Sequence, residues 1–101
     1  MLESVIERAF VKAIYKVGGE AYKLNSLSIN GLPDRLVLLP GGRALFVELK
    51  APGEKMRPLQ QKRAKQLQEM GFVVLCIDRL EQIPSAVESM LAWKPGEGDT
   101  L

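Results

Sequence analysis

The pattern that most constrains the fold is a pair of apolar runs separated by a short, glycine-rich turn. The runs cover residues 35–39 and 43–50, and Pro40, Gly41 and Gly42 lie between them. Short runs rich in valine, leucine and phenylalanine that are bounded by proline and glycine are typical of a β-hairpin. Both faces of each run are largely apolar, which predicts a sheet covered by helices on both sides.

The rest of the chain supplies the helices and the remaining strands. Apolar residues at three- and four-residue spacing predict an amphipathic helix over residues 3–17, which Gly18 and Gly19 end. The same criteria predict strands at 21–29 and 72–77 and helices at 58–70 and 81–92. The order αβββαβα predicts an α/β fold with a mixed central sheet flanked by helices, because the helix before the last strand provides a crossover.

Length and composition indicate one domain. We expect it to cover residues 1–93 of the 101, with residues 94–101 as a flexible tail. The longest apolar run is too short to cross a bilayer, and no basic-then-apolar leader opens the chain, so we expect no membrane association. The lone cysteine, Cys76, is expected to be a buried thiol in a reducing cytoplasm.

Three ionisable residues, Asp34, Glu48 and Lys50, lie at the ends of the two hairpin runs. Burying a charge among apolar side chains costs several kcal/mol unless the charge is paired or binds a metal. Residues two apart in a strand face the same way, so Glu48 and Lys50 share a face. A surface salt bridge is the alternative interpretation, and the position of Asp34 on the preceding strand argues against it.

The turn decides whether Asp34 joins that face. A three-residue turn, with Gly42 in a left-handed conformation, pairs Leu39 with Arg43 and places Asp34 opposite Glu48. A two-residue turn would place Asp34 opposite Leu49, on the other face. Proline followed by two glycines favours the three-residue turn, and we predict that register.

Two carboxylates on one face are hard oxygen ligands for Mg²⁺ or Mn²⁺, together with a backbone carbonyl such as that of Leu49. The chain has no histidine and one cysteine, which excludes histidine-dependent hydrolases and histidine-ligated zinc. Such a cation polarises a phosphate and lowers the pKa of bound water, while Lys50 stabilises the developing charge. The site therefore predicts metal-dependent phosphodiester hydrolysis.

Further candidates lie on the predicted helices. Gln60 falls on the inward stripe with Ala64 and Leu67, where its amide could reach the metal site or satisfy a nearby backbone group. On the first helix Glu7 could complete the metal site; Glu3 is a rival for that role, and a solvated helix edge is the simpler alternative. Candidate DNA contacts are Lys23, Lys55, Arg57, Lys62 and Arg63, and for each of them a solvated side chain on the surface is the simpler alternative.

These motifs together resemble the VRR-NUC (virus-type replication-repair nuclease) domain of the PD-(D/E)XK nuclease superfamily, over nearly the whole chain. The stretches that carry the resemblance are Gly31-Leu32-Pro33-Asp34, residues 45–50, Arg57-Pro58-Leu59-Gln60 and Gly71. The resemblance implies a restriction-endonuclease-like αβββαβ core. It also implies that Asp34 and Glu48 are metal ligands, that Lys50 is the catalytic lysine and that Gln60 is the family's glutamine. Glu7 matches the acid of the first helix less closely, and Arg57-Pro58 replaces the Ser-Pro common in the family.

By this resemblance we expect a homodimeric, Mg²⁺- or Mn²⁺-dependent endonuclease selective for branched DNA, acting in replication, repair or recombination in a bacterial or phage-infected cell. A DNA-binding module that keeps the nuclease fold without cleavage is the alternative. A protein-interaction domain would leave three polar residues in apolar strands unexplained.

Overall fold

The computed structural model describes residues 1–24 and 29–96, and it has the predicted order of helices and strands. The central part of the predicted first strand and residues 97–101 of the predicted tail lie outside the described residues. The elements are α1 (Glu3–Lys16), β1 (Glu20–Lys23), β2 (Arg35–Leu39), β3 (Arg43–Leu49), α2 (Pro58–Glu69), β4 (Val74–Ile77), a 3₁₀ helix (Leu80–Gln82) and α3 (Ile83–Ala92).

The four strands form one sheet in the order β1-β2-β3-β4. The first two pairings are antiparallel, and β4 pairs parallel to β3. This parallel pairing follows from α2, which carries the chain back to the start of the sheet before β4 begins. The predicted α/β fold with a mixed sheet is therefore confirmed.

The hairpin has the predicted register. Leu39 pairs with Arg43, and Arg35 pairs with Val47 at the far end of the ladder. Gly41 and Gly42 both have positive φ, 87° and 73°, which only glycine adopts at little cost. Continuing the register by one residue places Asp34 opposite Glu48, as the three-residue turn predicts.

The two faces of the sheet are covered to different extents. Ile6, Phe10 and Ile14 of α1, together with residues of α3, bury the face that carries Val37 and Leu45. Helix α2 lies on the other face, because its Gln60 contacts Glu48, which alternates with the buried Val47 and Leu49. That second face is only partly covered, leaving two large side chains about two-fifths exposed, Leu38 and Phe72.

The prediction that Cys76 is buried is wrong. Cys76 pairs with Glu48 in the parallel register, so its side chain is on the face that α2 covers only in part, and it is exposed. A four-residue strand in an apolar run does not reveal which of its faces is covered. Within residues 1–24 and 29–96, no helix combines the length and the apolar character needed to cross a bilayer.

Candidate active site

Asp34 and Glu48 lie side by side, just beyond the last residue pair of the β2–β3 ladder. The backbone N–H of Asp34 donates to Glu48 Oε1 at 3.1 Å. In return, the N–H of Leu49 donates to Asp34 Oδ2 at 3.0 Å. Each carboxylate therefore accepts a hydrogen bond from the backbone of the neighbouring strand, and this exchange fixes the two carboxylates against each other.

The second oxygen of Glu48 accepts from two side chains. Lys50 Nζ lies 3.1 Å from Glu48 Oε2, and Gln60 Nε2 donates to the same oxygen at 2.7 Å. Glu48 is only 2% exposed. Burial, followed by the charge of Asp34, raises the pKa of Glu48 above its ordinary 4.5, while Lys50 opposes that rise. A buried carboxylate beside a second acid is a site that a cation stabilises.

Gln60 connects the start of α2 to this carboxylate. Its Oε1 accepts from the backbone N–H of Arg57 at 2.9 Å, and Pro58 occupies the first helical position. Because the amide oxygen of Gln60 accepts from the N–H of Arg57, the amide nitrogen must point at Glu48. The flipped amide would place its NH₂ group against the N–H of Arg57, and two donors cannot form a hydrogen bond. Both roles considered for this inward-facing amide hold together: Gln60 satisfies a backbone group and reaches the site.

The two acids of α1 have different surroundings. Glu7 Oε1 lies 2.7 Å from Arg35 Nη2, and Arg35 Nη1 donates to the carbonyl of Ala21. Glu3 instead has a pKa raised by burial and then by the charge of Asp34, with Lys50 lowering it. Glu7 is thus engaged in an ion pair, whereas Glu3 feels the charge of Asp34 as a rise in its pKa.

The donor set fits a hard divalent cation with few protein ligands. Among the residues described, no three acidic, cysteine or histidine side chains converge into a ready cage. Mg²⁺ is commonly held by one or two carboxylates, and water and phosphate complete its octahedron. Asp34 and Glu48 supply such a pair, and Leu49 lies beyond the last β2–β3 rung at Arg35–Val47, so its carbonyl is outside that ladder.

The predicted DNA-contacting residues are spread over two faces. Lys55, Arg57 and Lys62 are exposed, in the loop before α2 and on α2 itself. Arg63 Nε donates to the carbonyl of Asn30, so this side chain also holds the loop before β2. Lys23 pairs with Arg35 in the ladder and therefore points to the face opposite Glu48.

Sequence reasoning missed Asp78, which holds the loop after Lys50. Asp78 Oδ2 accepts from the N–H of Gly53 at 3.2 Å, within a turn closed by a bond from the N–H of Glu54 to the carbonyl of Ala51. The sequence does place Asp78 directly after the apolar run of β4, and this position could have indicated it. An acid there lies beside the end of β3 if the two strands are parallel.

Comparison with known proteins gives the family. No family model matches the chain. A curated phage protein from Acyrthosiphon pisum secondary endosymbiont phage 1, named "Putative nuclease p44", is 46% identical over 76 residues, covering 75% of this chain and 82% of that protein. A solved structure described as "VRR_NUC domain" superposes with a TM-score of 0.81 at 28% identity, covering 85% of this chain and 94% of the other.

The fold and the carboxylate–lysine site define a nuclease-type α/β domain. The chain belongs to the VRR-NUC family, which confirms the resemblance of its motifs.

Proposed function

We propose that this protein is a Mg²⁺- or Mn²⁺-dependent endonuclease that hydrolyses phosphodiester bonds in DNA. The observation that carries the proposal is the reciprocal fixation of Asp34 and Glu48, with Lys50 on the same face. In a sheet that served only as a scaffold, two adjacent carboxylates would not stabilise the fold, because they repel each other.

Each residue has a chemical role in this proposal. Asp34, Glu48 and the carbonyl of Leu49 would hold the cation, and the cation would supply polarisation of the scissile phosphate and a lowered pKa of bound water. Lys50 stabilises negative charge on the phosphoryl oxygens. Gln60 keeps the Glu48 carboxylate in one orientation. Glu7 is the proposed acid of α1 and Glu3 is its rival. Glu7 pairs with Arg35, whereas the charge of Asp34 contributes to the raised pKa of Glu3.

DNA binding is proposed along the loop and helix that follow β3. Lys55, Arg57 and Lys62 are exposed there, and Arg63 borders them. Such cations neutralise phosphates and bind DNA without reading its sequence. Lys23 is the weakest of the proposed contacts, since it points to the other face of the sheet.

We further propose that the substrate is branched DNA, a junction or a flap, and that the active form is a homodimer. The support is what the resemblance of the motifs to the VRR-NUC domain implies for substrate and assembly. A twofold dimer presents two identical sites, which suits paired cuts across a branch point. Light scattering at micromolar concentration should give twice the 11.2 kDa of the chain, and a mass of one chain contradicts the dimer.

The test is cleavage of a plasmid and of a synthetic four-way junction with Mg²⁺, with Mn²⁺ and with chelator. Asp34→Ala and Lys50→Ala should each lower the rate by about a hundredfold or more and leave DNA binding measurable. The control is Lys12→Ala, which removes an exposed lysine from α1 on the other side of the sheet. If the wild type binds DNA but cuts neither substrate with either cation, the non-cleaving binding module is the correct function.

A further inference from the structure

Lys50 contacts the carboxylate that it is expected to assist. Its ammonium lies 3.1 Å from Glu48 Oε2, and the two side chains are 12% and 2% exposed. The other oxygen of Glu48 already accepts from the backbone of Asp34. Lys50 therefore provides the positive charge nearest to Oε2, the oxygen of Glu48 not held by the neighbouring strand.

We propose that Lys50 and the divalent cation compete for Glu48, so that binding of the cation releases the Lys50 ammonium from the carboxylate. This inference rests on the proposed nuclease function. A cation that coordinates a carboxylate oxygen at about 2.1 Å leaves no favourable place for an ammonium on that same oxygen, because the two positive charges repel. An ammonium has three donors and no acceptor, so it cannot turn an attractive side toward the cation.

Gln60 does not take part in this exchange. Its amide is neutral, and its oxygen is bound to the N–H of Arg57, so the side chain stays fixed while it donates to Glu48. Lys50 has a flexible four-carbon stem and a compact charge that can move between partners. Of the two side chains on Oε2, the lysine is therefore the one that yields.

The exchange would tie the arrival of the cation to the availability of the lysine. While Lys50 is paired with Glu48, its charge is largely neutralised and has little attraction for a phosphate. Once it is released, the ammonium is free to pair with the phosphoryl oxygens of bound DNA. A permanently structural ion pair would predict the opposite: removing Lys50 would disorder Glu48 and weaken cation binding.

The experiment measures Mn²⁺ binding without DNA, from the electron paramagnetic resonance signal of free Mn²⁺. Lys50→Met keeps the length of the stem and removes the charge, and it should bind Mn²⁺ about tenfold more tightly or better than the wild type, as expected when a competing unit charge leaves a partly buried site. Lys50→Arg keeps the charge and should stay near the wild type. Lys55→Met removes a nearby exposed charge that makes no ion pair with Glu48 in the described structure, and its effect should be smaller.

The outcomes separate this inference from the proposed function. If the wild type binds Mn²⁺ and cuts DNA, but Lys50→Met binds no more tightly, the competition is wrong and the nuclease stands. If the wild type and Lys50→Met both fail to bind Mn²⁺ and the wild type cuts nothing, the metal-dependent function itself fails. If a double variant with Lys50→Met and Glu48→Gln still binds Mn²⁺ tightly, the cation lies elsewhere and the inference is also overturned.

A measurement on the wild type covers the case in which Lys50→Met does not fold. The ¹⁵N resonance of the Lys50 ammonium reports its hydrogen bonding directly. Adding Mg²⁺ should shift this resonance toward that of a solvated lysine and leave the resonance of Lys55 nearly unchanged. A Lys50 signal that does not respond at saturating Mg²⁺ contradicts the exchange.

Discussion

At the scale of single residues, the site is organised around one buried carboxylate, Glu48. Backbone, amide and ammonium donors reach it from three parts of the chain, and its oxygens are both occupied. Donors stabilise the ionised form, whereas burial and the neighbouring Asp34 oppose it, and the net effect raises its pKa. Burial and Asp34 thus disfavour the ionised form of Glu48, and the positive charge of Lys50 beside it favours that form.

The titration of Glu48 tests this balance. In chelator, the ¹³C resonance of its carboxyl should have a midpoint above 4.5, and Lys50→Met should move that midpoint higher, because Lys50 lowers the pKa. Since the folded-state pKa is raised, the contribution of Glu48 to the unfolding free energy is fully present below 4.5 and is lost as the pH rises through the raised value. A midpoint at or below 4.5 contradicts this description.

Replacing Gln60 should lower the stability of the fold. Gln60→Ala removes an amide that is 7% exposed and leaves the N–H of Arg57 and one oxygen of Glu48 without this partner. The expected loss in unfolding free energy, measured by urea denaturation, is about 1–3 kcal/mol. The matched control is Gln61→Ala, at an exposed position whose amide donates to the carbonyl of Met56. Equal losses in unfolding free energy for the two variants would show that the hydrogen bonds of Gln60 do not stabilise the fold.

The sequence predicted the carboxylate pair and Gln60 because strand alternation and helical periodicity are counted directly along the chain. It did not separate Glu3 from Glu7. These residues are four apart on α1 and lie on one face of the helix, so only the packing of α1 on the sheet decides which of them pairs with Arg35. That packing is a tertiary property, and the exposure of Cys76 is another.

At the scale of elements, the position of α2 depends on a close approach at Gly31. Gly31 has φ of +84°, and a Cβ there would lie 2.9 Å from the backbone oxygen of Leu59. Arg63 reinforces the same contact through the carbonyl of Asn30. The loop that leads into Asp34 is therefore packed directly against the helix that carries Gln60.

Gly31→Ala should destabilise the fold more than the same change at Gly71. Both glycines have positive φ, 84° and 94°, so alanine is strained at either position by about 1 kcal/mol. Nothing lies within 4 Å of a Cβ at Gly71, whereas at Gly31 the helix backbone must move. We expect an additional loss of about 1–3 kcal/mol for Gly31→Ala in thermal or urea unfolding. Equal losses would mean that the loop and α2 are not in contact.

The start of β4 could not be predicted from the apolar pattern of the sequence alone. The apolar run predicted as a strand begins at Phe72, but the strand begins at Val74. The N–H of Phe72 donates to the carbonyl of Leu67, so Phe72 still belongs to the cap of α2, next to Gly71. An apolar residue serves a helix cap or a strand equally well, and only the hydrogen bonds distinguish the two.

At the scale of the whole molecule, the proposed DNA surface and the core helix α1 lie on opposite sides of the sheet. Lys55→Ala with Lys62→Ala should weaken DNA binding and reduce its salt dependence by about 0.9 in log–log slope for each phosphate that the protein no longer neutralises. Lys12→Ala with Lys16→Ala removes the same charge from exposed positions of α1 and should change neither. Fluorescence anisotropy at several salt concentrations measures both, and equal effects would place the DNA elsewhere.

The turn at Pro40, Gly41 and Gly42 has a consequence for how this molecule can vary. It lies at the opposite end of the hairpin from Asp34 and Glu48, yet the register that it closes places these two residues opposite each other. If the turn changes length by one residue and the strands pair directly up to the new turn, the register shifts by one and the faces of β2 reverse relative to β3. A turn one residue shorter would leave an intact hairpin sequence with one carboxylate directed into the hydrophobic core. We therefore expect insertions or deletions of two residues at this turn to be tolerated better than changes of one residue. The active site thus restricts the length of a surface loop that takes no part in its chemistry.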